Sequence, residues 1–263
     1  MSDWQLHLKT LCNGFAEKDI YNCDETALFY RALPNRSLVF KIEDSRGTKL
    51  IKDRLSILLC ANAEGEVLPP LVIGRCKHPR CFGKMENSEL PVQWTYNKPA
   101  WMTADLFRSW LISLNKRFQS ENRHVILFLD NASSHSHTEF SNITLKFFPP
   151  LCTAALQPLD QGIIRCFKAK YRTNFIRKLL SSLDTNEKAD ALAKRVNILH
   201  ALYWIRFSAR ALTKSTVRNC FHKAGFFFDE WKTDSNEFLN KEHRGVRKSS
   251  FSYKRRYHRF RER

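Results

Sequence analysis

One stretch of the sequence constrains the fold more than any other: residues 124–130 read HVILFLD, a short continuous apolar run that ends in a carboxylate. Such runs are typical of a central strand in an α/β protein, where helices cover both faces of the sheet. A carboxylate at the end of a buried strand needs hydrogen bonds, a cation or a metal to offset its charge. The run therefore predicts an α/β fold and draws attention to Asp130.

The segments upstream of this run predict further strands. Residues 20–30 alternate and are rich in strand formers, and residues 54–63 and 67–73 predict a hairpin. Because proline cannot donate to a sheet ladder, the two prolines in the returning strand predict that it lies at a sheet edge. Residues 74–100 are expected to be irregular.

Helical periodicity dominates the rest of the chain, in amphipathic segments whose apolar residues recur every three or four positions. A mixed β-sheet flanked by α-helices is the architecture that follows. Helices are predicted from residue 103 or 104 to 118, from 157 to about 181, over 188–207 and from 215 to 225, with a further strand over 143–148.

The chain is strongly basic, which bears on its partners. Its 263 residues include 44 Lys and Arg against 26 Asp and Glu, a formal net charge of +18. Residues 241–263 hold ten of these cations and two of the acids, with aromatic residues between them. We expect a disordered tail that contacts phosphates or directs nuclear import, or else a solvated tail without a partner. A basic body and a basic end together indicate a polyanion.

Composition excludes several classes of protein. Hydrophobic residues make up 43% of the chain and can build a core, so disorder throughout is excluded. No apolar run approaches the roughly 18 residues of a membrane span, so no membrane partner is expected. The eight cysteines are expected to be reduced, since no secretory signal is visible.

Three aspartates stand out by position: Asp24 inside the first predicted strand, Asp130 at the end of the apolar strand, and Asp160 at a helix start. Three such carboxylates could hold two hard divalent cations for chemistry at a phosphodiester. Simpler explanations also exist, an N-cap for Asp160 and a turn former for Asp130. Asp24 and Glu25 point to opposite faces of a strand, so at most one is expected to join a site, and spacing does not choose between them.

Five blocks of sequence, in this order, resemble the catalytic domain of Tigger/pogo-type DNA transposases. They read IYNCDETALFY, KDRLSILLCANAEGEVLPPLVIG, ILFLDNASSH, FFPPLCTAALQPLDQGIIRCFKAKYR and TVRNCFHKAGF, and they extend from about residue 20 to residue 226. This is the DDE superfamily endonuclease domain, shared with jerky-like proteins and centromere protein B. The resemblance implies a ribonuclease-H-like fold with an acidic triad that binds two divalent ions, Mg²⁺ or Mn²⁺.

Carried over residue by residue, the resemblance implies that Asp24, Asp130 and Asp160 are the catalytic and metal-binding residues, and it selects Asp24 over Glu25. The implied partner is DNA, the implied location is the nucleus, and a homodimer is expected by analogy. Weaker site candidates are His135 and Gln161. Side chains expected to hold DNA phosphates without reading the base sequence are Lys52, Arg54, Arg165, Lys168, Lys170 and Arg172.

Departures from the family bear on activity. Family members usually carry two helix-turn-helix modules before this domain, whereas 19 residues precede the first strand here, so we expect those modules to be absent and autonomous transposition not to occur. The segment before LQPLD reads PPLCT and lacks a polar residue of the family pattern. The expected organisation is a lead-in over residues 1–19, a DDE catalytic domain over 20–182, a helical extension over 183–240 and a basic disordered tail over 241–263.

Two functions remain in competition at this point. The first is metal-dependent DNA strand cleavage and strand transfer, which the retained acids favour. The second is a transposase-derived DNA-binding protein without catalytic turnover. Charge does not exclude an RNA-directed nuclease of the same fold, but the motif blocks favour DNA.

Overall fold

A computed structural model of the chain describes residues 2–33, 53–135, 138–150, 153–181 and 189–227. These residues belong to one compact unit, Met1–Phe227. The predictions for Lys52 and for the basic tail over residues 241–263 lie outside the described residues. Within those residues, no helix combines the length and apolar character needed to cross a membrane.

A six-stranded mixed sheet forms the centre of this unit, in the order β4-β3-β2-β1-β5-β6. The first three strands in the chain are joined in antiparallel fashion, and the remaining pairs are parallel. The predicted α/β class, a mixed sheet flanked by helices, is confirmed. The strands are β1 (Ile20–Phe29), β2 (Arg54–Asn62), β3 (Leu71–Gly74), β4 (Gln93–Tyr96), β5 (Val125–Leu129) and β6 (Ile143–Phe147).

Helices cover both faces of the sheet, as expected for a strand buried on both sides. Phe107 of the second helix shares a buried core with Leu127 on one face. On the other face Phe128 shares a core with Phe167 and with the helices near the end of the described chain. The helices are α1 (Ser2–Cys12), α2 (Ala104–Ser120), α3 (Thr153–Leu156), α4 (Ile164–Leu180), α5 (Ala189–Arg195), α6 (Ile198–Arg210) and α7 (Lys214–Lys223), with a π-helical turn over Leu159–Ile163.

The prediction that the returning hairpin strand lies at a sheet edge is wrong. β4, which falls in the segment expected to be irregular, pairs in parallel with β3 and forms the edge instead. Both prolines precede Leu71, the first residue of β3, so their missing N–H groups do not interrupt its ladder. Gly74 leaves room for the ring of Trp94, which a Cβ at this position would strike.

Some helix boundaries also differ from the predicted ones. The helix predicted over residues 188–207 is two helices, because the Asn197 side chain accepts a hydrogen bond from the His200 amide at 2.9 Å and begins a new helix. The helix predicted from Gln157 becomes a regular α-helix only at Ile164. The sequence pattern did not reveal α1.

Candidate active site

β1 and β5 run parallel and carry two of the predicted acids to the same end of the sheet. Asn22 of β1 pairs with Phe128 of β5. Asp24 lies two residues later within β1, and Asp130 lies two residues later, directly after the end of β5, on neighbouring strands that are about 4.8 Å apart. A pair of carboxylates is thereby formed where β5 ends beside the middle of β1.

Asp160 approaches the same place from the helical layer. The Leu159 amide donates a hydrogen bond to the Asn22 Oδ1 atom at 3.0 Å, which ties the π-helical turn to β1. Gly162 has a φ of +151°, a conformation that L side chains rarely adopt, and it directs the chain from Asp160 into α4. A Cβ on Gly162 would lie 3.3 Å from the Cys220 sulfur of α7.

The Asp24 carboxyl group has an electrostatically unfavourable position. Burial raises its pKa to about 8, with further increases from the negative charges of Asp160, Glu25 and Asp130. The Glu25 amide donates to Asp24 Oδ1 at 2.7 Å and opposes this effect only in part. Asp130 and Asp160 therefore lie within electrostatic range of Asp24, although they are far from it in the sequence.

Asp130 has the opposite environment. His135 Nδ1 lies 2.8 Å from Asp130 Oδ1, and His135 Nε2 lies 3.2 Å from Glu25 Oε1. The hydrogen bond from His135 is the main reason that the pKa of Asp130 is lowered. Hydrogen bonds to the two carboxylates outweigh burial and raise the pKa of His135 to about 10. At neutral pH both ring nitrogens therefore donate, one to each carboxylate.

Glu25 also contributes to the candidate site, although the family resemblance selected Asp24 in its place. It points away from Asp24, as strand alternation requires, yet it reaches the site from the other face of β1 through His135. The His135 ring is fully buried and packs on Phe107 of α2, with ring centroids 4.3 Å apart. The expectation that only one of Asp24 and Glu25 contributes is therefore too simple.

Asp160 is the most exposed of the three acids, and partial burial and the charge of Asp130 raise its pKa. The Gln157 Nε2 atom donates to Asp160 Oδ2 at 3.4 Å. Gln157 itself is buried, and its Oε1 atom has no hydrogen-bond partner among the described residues. Gln157 is therefore a second residue of the candidate site that the sequence did not reveal. Gln161, by contrast, donates to the Ala155 carbonyl at 2.9 Å.

The donor chemistry suits a hard divalent cation. Carboxylate and amide oxygens are the ligands that Mg²⁺ prefers, and like charges around Asp24 favour a cation at this position. In the part of the chain that the structure describes, no group of three or more potential ligands is close enough to form a complete metal cage. Mg²⁺ needs only one or two carboxylates, because water and substrate phosphates complete its shell. The residues therefore fit the ion.

The predicted phosphate-binding side chains do not form one surface. Arg165, Lys168 and Arg172 follow the spacing of a single face of α4, whereas Lys170 lies on another face. Burial lowers the pKa of Lys168, and the nearby charge of Asp24 opposes that effect. Among the described candidates, Lys168 therefore lies within electrostatic range of Asp24.

Two of the predicted arginines are engaged within the protein. Arg172 donates to the carbonyl of Ala32. Arg54 donates to the Pro99 carbonyl at 2.8 Å, and its guanidinium lies over the ring of Trp101, 4.7 Å from the centroid. Any phosphate bound by these side chains would share them with existing contacts.

Comparison with known families finds one match that covers most of the chain. The family described as "DDE superfamily endonuclease" matches residues 52–221, a range that includes Asp130 and Asp160 and begins after Asp24.

Curated relatives extend the similarity beyond that range. Tigger transposable element-derived protein 4 of Mus musculus is 36% identical over 226 residues, which are 85% of this chain and 42% of that protein. Major centromere autoantigen B of Homo sapiens is 30% identical over 220 residues, which are 82% of this chain and 35% of that protein. The chain thus spans between about a third and two fifths of the length of these relatives.

Among solved structures, the Mos1 strand transfer complex contains a chain with 14% identity and a TM-score of 0.41, matched over 86% of this chain and 60% of that one.

Proposed function

The chain belongs to the DDE superfamily endonuclease family, as its motifs predicted, and on that premise we propose that it is a transposase-derived domain that cleaves DNA phosphodiesters with divalent metal ions. The observation that supports this most directly is geometric: β1 and β5 carry Asp24 and Asp130 at the same level of neighbouring strands, and the hydrogen bond from the Leu159 amide to Asn22 ties the turn that bears Asp160 to β1. Carboxylates that repel one another in a partly buried position destabilise a fold, so their presence together favours a functional explanation.

The proposed roles follow from the contacts of each side chain. Asp24, Asp130 and Asp160 would supply the carboxylate oxygens for Mg²⁺ or Mn²⁺. The ions, when bound, would activate the attacking oxygen and stabilise the leaving one. His135 holds Asp130 in one orientation through its 2.8 Å contact. Lys168 would bind a phosphate oxygen of the strand beside Asp24 without reading its sequence.

The proposed reaction is a nucleophilic substitution at phosphorus. In hydrolysis a water oxygen bonds to phosphorus, the bond to the 3′-oxygen breaks, and that oxygen takes up a proton. The products are a 3′-hydroxyl and a 5′-phosphate. In strand transfer the oxygen of the freed 3′-hydroxyl loses its proton and bonds to a phosphorus of a second DNA strand. The bond from that phosphorus to the 3′-oxygen of the second strand breaks, and the released 3′-oxygen takes up a proton.

DNA, a nuclear location and a homodimer are part of the same proposal. A net charge of +18 favours a polyanion partner. We expect sequence-indifferent binding to duplex DNA that weakens steeply with salt, because phosphate contacts release counterions. An affinity that is unchanged between 50 and 200 mM salt, roughly the range over which such binding collapses, would contradict this.

Plasmid nicking tests the catalytic proposal. We expect the wild-type protein to nick supercoiled DNA with Mg²⁺ or Mn²⁺ and not with EDTA, and we expect Asp130→Asn to lose at least about 100-fold in rate. Glu139→Gln is the control, since Glu139 is an exposed carboxylate next to strand β6. Equal residual nicking by the wild type and Asp130→Asn would refute cleavage by this site. DNA binding that survives such a result would favour the non-catalytic alternative.

A further inference from the structure

Asn22 is a polar side chain in the apolar interior of the sheet, where it is fully buried. Its Nδ2 atom donates to the Phe128 carbonyl of β5 at 3.1 Å, and its Oδ1 atom accepts from the Leu159 amide at 3.0 Å. A buried amide is tolerated when its hydrogen bonds are satisfied, and satisfied networks favour one arrangement of the elements that they join. Asn22 thus connects β1, β5 and the π-helical turn.

The anchor points of this side chain coincide with the three predicted acids. Asn22 lies two residues before Asp24 on β1, and Phe128 lies two residues before Asp130. Leu159 directly precedes Asp160. A displacement of any of the three elements would therefore move a carboxylate relative to the other two.

We infer that Asn22 is a positioning residue that sets the relative placement of the three acids, an inference whose catalytic meaning rests on the proposed function. The carboxylates repel one another, so their electrostatic energy decreases when the turn that bears Asp160 moves away from β1. The hydrogen bond from Leu159 to Asn22 opposes that movement. Asn22 touches no substrate in this proposal and acts only through the elements that it joins.

Asn62 provides a matched control on the neighbouring strand. Its side chain is also fully buried, donates to the Lys18 carbonyl at 3.0 Å and accepts from the Glu66 amide at 2.7 Å. None of the contacts described for Asn62 involves the three acids. Replacement of either asparagine by leucine, which has a similar size, removes comparable buried hydrogen bonds, so the two variants should lose similar thermal stability.

Two measurements on the full chain separate positioning from stability. The first is hydrogen exchange by mass spectrometry in metal-free protein, followed in the segment over residues 157–163. The second is the affinity for Mn²⁺ alone, measured by electron paramagnetic resonance. For Asn22→Leu we expect exchange of that segment to be at least 10-fold faster and Mn²⁺ binding to be at least 10-fold weaker. For Asn62→Leu we expect both to match the wild type.

The outcomes separate this inference from the proposed function. If both variants weaken Mn²⁺ binding equally, Asn22 has only a structural role and the inference is wrong. If the wild type binds no Mn²⁺, the proposed function fails, and exchange in the 157–163 segment decides the positioning role alone. In that case, hydrogen exchange of this segment in Asn22→Leu at the wild-type rate overturns the positioning role. Should Asn22→Leu not fold, Asn22→Ser, whose hydroxyl is too short to join all three elements, takes its place under the same criteria.

Discussion

Asp24 within β1 and Asp130 at the end of β5 lie at the same level of two neighbouring parallel strands, yet their carboxyl groups have opposite electrostatic environments. Burial and the charges of Asp160 and Glu25 raise the pKa of Asp24 to about 8. His135 lowers the pKa of Asp130 by a hydrogen bond of 2.8 Å. One end of the site therefore has its charge offset by the protein, and the other end does not.

The difference indicates that the two ends of the site should respond differently to protonation and to a bound cation. The Asp130 end is held rigidly by a buried histidine that bridges two carboxylates, so its geometry should not depend on a ligand. The Asp24 and Asp160 end is destabilised by burial and repulsion, so it should respond most to protonation or to a bound cation.

Replacement of His135 by alanine should have the largest effect on stability. The variant leaves Glu25 and Asp130 without the cation between them, and we expect a loss of about 3 kcal/mol in the free energy of unfolding. Urea denaturation at pH 7 measures it. His124→Ala is the control, since His124 is exposed and has one described hydrogen bond, to Thr144 at 2.9 Å. Similar losses in both variants would show that the contacts of His135 with Glu25 and Asp130 add no particular stability.

Asp24→Asn should stabilise the metal-free protein, in contrast to most substitutions of partly buried residues. The amide keeps an oxygen for the Glu25 amide but carries no charge to be buried or repelled, and we expect a gain of about 2 kcal/mol at pH 9. Thermal unfolding in EDTA measures this gain, with Glu139→Gln as the exposed control. A destabilised Asp24→Asn would mean that the carboxylate has a favourable partner at this end.

The pH dependence of that gain follows from the sign of the shift. The folded-state pKa of Asp24, about 8, lies above the unfolded value of roughly 3.9, so the folded protein binds the extra proton between these limits. The stability contributed by the protonated group is fully present below the unfolded value and is lost as the pH rises through 8. The advantage of Asp24→Asn over the wild type should therefore be small at pH 5 and grow towards pH 9. A difference that does not vary with pH would refute the raised pKa.

A divalent cation should stabilise the wild-type protein at pH 8. At a Mg²⁺ concentration ten times its dissociation constant, binding to the folded state alone adds about 1.4 kcal/mol. The increase in melting temperature should disappear on addition of EDTA and should be much smaller in Asp24→Asn. An equal Mg²⁺ effect in both proteins would place the ion elsewhere.

Asp160→Asn should have the smallest effect, because this carboxyl group is the most exposed of the three. We expect a stabilisation of at most about 0.5 kcal/mol in metal-free protein, since solvent screens an exposed charge. The same variant should nevertheless weaken Mn²⁺ binding by about 10-fold, as expected for a ligand. A gain in stability as large as that of Asp24→Asn would show that repulsion is shared evenly between the two residues.

Much of the fold could be predicted because the relevant signals are local. The apolar run before Asp130 and the alternating segment around Asp24 correspond to β5 and β1 within about a residue at each end. The edge position of β3 was predicted wrongly, since pairing with β4 depends on the fit of Trp94 against Gly74 and not on a local pattern.

The sequence predicted the acids of the candidate site, whose catalytic role stays a prediction, and it did not predict the residues that contact them. A motif identifies Asp24 and Asp160 because they occupy recognisable blocks. The hydrogen bonds that join Glu25 through His135 to Asp130 connect residues up to 110 positions apart, and no periodic pattern in the sequence predicts such a contact. Asn22 carries a weak signal, a polar residue at an inward position of an apolar strand, but its partners become visible only in three dimensions.

By itself, the sequence determined the α/β class, the two strands associated with Asp24 and Asp130, and the family, because hydrophobic period and motif order are properties of the chain. Tertiary structure alone decided which carboxyl groups meet, which one is neutralised by a histidine, and which one keeps an unfavourable charge. The physical reason is that Coulomb energy and desolvation depend on distances through space, whereas separation along the chain carries no information about them.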